Sequence, residues 1–68
     1  MHINRLVERF LRETDLPPTK FGRLSVRDPR LVFDMRNGRE IGEPVAVRLR
    51  EFMHLYRSHT ATAERIAA

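Results

Sequence analysis

Apolar positions recur along most of this chain at helical spacing. Ile3, Leu6, Val7, Phe10 and Leu11 fall at i, i+3, i+4, i+7 and i+8, the inner stripe of an amphipathic helix. Arg5, Glu8, Arg9 and Arg12 take the opposite side. The spacing predicts a first helix from about residue 3 to Glu13, with Thr14-Asp15-Leu16 as its exit and Leu16 tucked under the core. Pro17-Pro18 ends that helix and opens a second, since the missing N–H of proline has no helical partner in a first turn anyway. In this second helix, Pro18 to Val26, the residues Phe21, Gly22, Leu24 and Ser25 form the inner face. Lys20, Arg23 and Arg27 form the outer one.

Arg27-Asp28-Pro29 is the sharpest boundary in the chain. Aspartate is a favoured N-cap, and Pro29 suits the first helical position. The residue before a proline is also biased away from helix, so the second helix cannot run on. A third helix therefore spans Pro29 to about Asn37, with Leu31, Val32 and Met35 inward and Arg30, Phe33 and Asn37 outward. Gly38 reads as its left-handed cap. Residues 39–43 form a loop anchored by Ile41, with Gly42 as a second breaker. Glu43-Pro44 opens a fourth helix, in which Val45, Ala46, Leu49, Phe52, Met53 and Tyr56 repeat inward and Val47, Arg50, Glu51 and His54 face away. That helix is expected to end near Tyr56 or Arg57. The remainder, residues 58–68, is small and polar, with Ile66 its only large aliphatic; it reads as a flexible or frayed tail, or as a helix that needs a partner. The predicted fold is all-α: a compact four-helix domain over residues 1–57 with a two-helix corner at its centre.

Composition narrows the picture. With 68 residues and no cysteine there is one small domain, no disulfide staple and no thiolate metal site. A chain of this size buries only about 60% of its unfolded surface, so its core is marginal. The longest uninterrupted apolar run is three residues, which excludes a membrane-spanning helix, and no signal-like apolar segment is seen at the N-terminus. A cytoplasmic protein is expected. Charge changes the picture more. Residues 17–39 hold six basic and two acidic side chains, and the segments on either side balance, so the whole net charge of +4 sits on the two-helix corner. Charge segregated in this way suggests a surface that meets a polyanion.

The pattern resembles the small helix-turn-helix DNA-binding domains of the lambda repressor and Cro type, also called xenobiotic-response-element-like. The residues that carry the resemblance are Phe21-Gly22 in the first motif helix, Asp28-Pro29 opening the second, and Val32 with Met35 buried three apart. Asn37-Gly38-Arg39 closes the motif, followed by Pro44 and a further amphipathic helix. The match covers about residues 3–56. A glycine is common in that family at the turn between the two helices; here Val26 and Arg27 stand there.

The resemblance implies sequence-specific binding of double-stranded DNA by a small, repressor-like transcription regulator, with the helix at about 29–37 in the major groove. Arg30, Phe33, Asp34 and Asn37 are the base-contact candidates. Arginine pairs bidentately with guanine and asparagine with adenine, and an apolar ring can meet a thymine methyl. Phe33 has a second reading, as core between the helices. Asp34 either accepts from cytosine or pairs with Arg30 at i+4, the latter being favoured. Thr19, Lys20, Arg23, Arg27, Arg36 and Arg39 are the phosphate-contact candidates, against a plain solvated basic face. Phe52, Met53, Leu55 and Tyr56 make a wide apolar surface on the fourth helix, which suggests a homodimer; the bland reading is packing on the first helix.

No catalytic, cofactor or small-molecule site is expected. His2, His54 and His59 lack ligand spacing for a metal, and no nucleophile has a base at a recognisable distance in sequence. The alternative function is a helical protein-interaction module, adaptor-like or antitoxin-like, acting through the fourth helix and the tail. Non-specific nucleic-acid binding is a third reading.

Overall fold

A computed structural model describes the backbone of residues 2–67 and the side chains of residues 2–59. The fold is all-α, with four helices: α1 Ile3–Thr14, α2 Pro18–Val26, α3 Leu31–Arg36 and α4 Glu43–Ala67. The first two follow the apolar stripes to within a residue of the expected ends. His2 Nδ1 accepts the Asn4 N–H at 3.2 Å and caps α1. Asp15 takes a left-handed conformation, φ 56°, and closes it. Thr14 ties the exit together by donating to the Phe10 carbonyl at 2.8 Å and accepting the Leu16 N–H at 3.3 Å. Leu16 is buried, as its place after α1 implied.

The core is one cluster fed by every helix. Phe10, Phe21, Leu31, Leu49, Val7 and Val32 are its most deeply buried side chains. Phe10 is its hub, with ring centroids 5.5 Å from Phe21, 6.2 Å from Phe52 and 5.4 Å from Tyr56. Tilted and edge-on rings at these distances add a fraction of a kcal/mol to about 1.5 kcal/mol each beyond their area burial. A marginal 68-residue domain has few other sources of cohesion.

Three expectations change. Leu24, expected on the inner face of α2, is 52% exposed. The buried side of α2 is centred on Phe21, Gly22, Ser25 and Val26, and at about 100° per residue Leu24 lies past its edge, beside Lys20. Helix α3 begins at Leu31 rather than Pro29, with Pro29 and Arg30 forming a lead-in turn. The Asp28 carboxylate accepts the Arg30 N–H at 3.0 Å and its carbonyl the Leu31 N–H at 3.1 Å. Helix α4 does not stop at Tyr56 or Arg57 but runs to Ala67, since residues 58–67 contain no glycine or proline to break it. Most of the expected tail, residues 58–68, lies outside the described side chains.

Candidate nucleic-acid interface

The geometry of the α2–α3 corner rests on one contact. A Cβ built on Gly22 would lie 2.1 Å from the Asp28 carbonyl oxygen and 3.3 Å from Leu31 Cβ. The Gly22 carbonyl accepts the Asp28 N–H at 3.0 Å. The backbone of the turn thus lies directly on α2, closer than any side chain permits. Arg27 makes the reversal, at φ 58° and ψ 33°, in the left-handed region that a glycine would enter without strain. At the other end of α3 the Gly38 N–H bonds the Met35 carbonyl at 3.2 Å and the Arg39 N–H bonds that of Asp34 at 2.9 Å. These are the paired bonds of a Schellman cap, and Gly38 has φ 99°.

Thr19, Lys20, Arg23, Arg27 and Arg30 are all exposed along α2, the turn and the lead-in to α3. None of the four cations among them forms an ion pair among the described residues. On α3, Phe33 is 42% exposed and Asn37 is exposed too, so Phe33 is not a core residue. Leu24 adds an exposed apolar side chain to the same basic side of α2, which periodicity did not mark.

The remaining candidates are engaged elsewhere. Arg36 grips Glu8 with two bonds, 2.9 and 3.1 Å, and its guanidinium lies 5.9 Å from the Phe33 ring centroid. The Glu8 carboxylate holds the Arg36 guanidinium even more firmly protonated than usual. Arg39 Nη1 lies 3.0 Å from Asp28 Oδ2 and 3.5 Å from Asp34 Oδ2. Asp34 therefore pairs with Arg39, not with Arg30 at i+4 as expected. The Arg39 guanidinium, with the Arg30 N–H, holds the Asp28 carboxyl below its usual range. Neither pairing was legible in sequence. Glu8 and Arg36 stand 28 residues apart, and Asp28 and Arg39 stand 11 apart across a helix and its cap.

The suggested dimer surface is mostly consumed by the fold. Met53 is buried, and Phe52 and Tyr56 are half-buried in the aromatic cluster. Only Leu55, 65% exposed, faces solvent. Among the described residues no helix is long and apolar enough to cross a membrane. Comparison with protein-family models, curated proteins and solved structures gives no match.

Proposed function

We propose that this chain binds double-stranded DNA as a small, sequence-specific transcription regulator. The lead-in turn and α3 enter the major groove, where Arg30, Phe33 and Asn37 meet base edges. Lys20, Arg23 and Arg27 meet the phosphates on either side, with the Thr19 hydroxyl beside them. One observation carries the reading: four unpaired cations between positions 20 and 30, on an exposed corner whose other arginines are neutralised by carboxylates. The summed potential of such a strip of like charge attracts a polyanion. Major-groove docking further requires a short exposed helix whose axis is held rigidly to its neighbour. The Gly22 contact and the Gly38 cap supply that rigidity.

The regulator acts by occupying its site, at the nucleoid in a bacterial cytoplasm. Self-association through α4, with Leu55 as its apolar contact, would set two copies of α3 about 34–36 Å apart on a palindromic site. Selection from a random duplex pool at two salt concentrations tests the proposal. The expected result is an enriched sequence, palindromic if the protein pairs. Affinity should fall with salt at a log–log slope of roughly −3 per protomer, one ion per phosphate met by Lys20, Arg23 and Arg27. A pool that yields no preferred sequence would remove the specific-regulator reading. Binding indifferent to both salt and the loss of those three cations would leave the protein-interaction module instead.

A further inference from the structure

Two carboxylates flank the side chain assigned to base reading. Asp28 lies two residues before Arg30, and Asp34 lies four after it, its N–H bonded to the Arg30 carbonyl at 2.9 Å. At that spacing Arg30 and Asp34 form an ion pair on an ordinary helix surface. They do not pair here; Asp34 instead lies 3.5 Å from Arg39, which also holds Asp28 at 3.0 Å. The Schellman cap makes this reach feasible. Gly38 reverses the chain, the Arg39 N–H returns to the Asp34 carbonyl, and the guanidinium runs back along the helix to Asp28.

We infer that Arg39 is a positioning residue for sequence recognition: anchored on Asp28, which is itself occupied by the Arg30 N–H, it captures Asp34 and so leaves the Arg30 guanidinium free for a base edge. It acts through those carboxylates, not by touching phosphate. The inference rests on the DNA-binding reading above and names the residue that governs selectivity within it. Without Arg39, Asp34 turns to Arg30, and its negative charge faces the groove as well. Bidentate contact to guanine is then lost, while Lys20, Arg23 and Arg27 still hold the phosphates. Selectivity falls further than affinity.

The test measures binding to the selected duplex and to a random duplex, with thermal stability followed in parallel. Arg39→Gln should lower the specific-to-random affinity ratio about tenfold, the scale of one lost bidentate base contact. Adding Asp34→Asn to Arg39→Gln should restore most of that ratio, because no carboxylate remains at i+4 to take Arg30. A purely structural clasp predicts the opposite, since Asp34→Asn cannot rebuild an ion pair and the double variant would be no better than the single. An Arg39–phosphate contact also predicts no restoration, with both affinities falling together. Either of those results overturns the inference. If the unaltered protein binds neither duplex, it is the DNA reading that fails, and the two failures stay distinct.

Discussion

Alanine at Gly22 is the smallest change that tests the corner. The added Cβ would stand 2.1 Å from the Asp28 carbonyl oxygen, where 3.0 Å is the least that real side chains show. The turn must therefore move away by about 1 Å. That movement strains the Asp28 N–H bond to the Gly22 carbonyl, now 3.0 Å, and disturbs Leu31, whose Cβ would be 3.3 Å from the new methyl. Overpacking of this kind costs about 1–3 kcal/mol, and a weakened hydrogen bond roughly 1 kcal/mol more. Alanine returns up to about 1 kcal/mol through its better helix propensity. The net loss is about 2–3 kcal/mol, large for so small a domain. At roughly 4–8 °C per kcal/mol, the melting temperature should fall by about 10–20 °C. Thermal unfolding followed by circular dichroism, with a urea titration, reads both quantities. An unchanged or raised melting temperature would mean that the turn does not lie on α2 as described, and the rigidity argued for the interface would go with it.

Other outcomes follow from the same geometry. Arg27→Gly should raise stability by roughly 0.5–1 kcal/mol, because φ 58° is strained for arginine; it should also weaken duplex binding and reduce the salt slope by about 1. A variant that gains stability with unaltered binding would remove Arg27 from the interface. Phe33→Ala should cost only about 1 kcal/mol of stability, since the ring is 42% exposed and gives up chiefly the Arg36 guanidinium 5.9 Å from its centroid, yet lower affinity for the selected duplex in a gel-shift titration; a loss of about 3 kcal/mol or more would return Phe33 to a packing role. Acidification should destabilise the fold. Arg39 lowers the Asp28 pKa, and Arg9 then Arg57 lower that of Glu13, so their contribution is present above the unfolded carboxylate pKa near 4 and is lost as pH falls through the folded values. Melting temperatures flat from pH 6 to pH 2 would contradict those pairings.

Much of the fold was legible along the chain, because its signals are local. Helix α1 is written in five apolar residues at helical spacing, and Pro17-Pro18 sets the junction with α2 regardless of what either packs against. Gly38 announces the end of α3 because few other residues adopt φ 99° without strain. The errors arose where two local signals competed. Asp28-Pro29 is a sound N-cap pattern, yet the carboxylate served a turn first and the helix began at Leu31. Leu24 lies one residue past a boundary that periodicity draws only to within a residue or two.

The sequence by itself determined four helices, their order, most of the buried set and the concentration of charge on residues 17–39. Those properties depend on neighbours within a turn or two, which the order of residues states outright. Only the tertiary structure decided which of the corner's cations remain unpaired. Glu8 reaches Arg36 because α1 packs beside α3, and Arg39 reaches Asp28 because a capped helix folds the chain back on itself. Ion pairs depend on distance through space, and separations of 28 and 11 residues carry no periodic trace of such proximity.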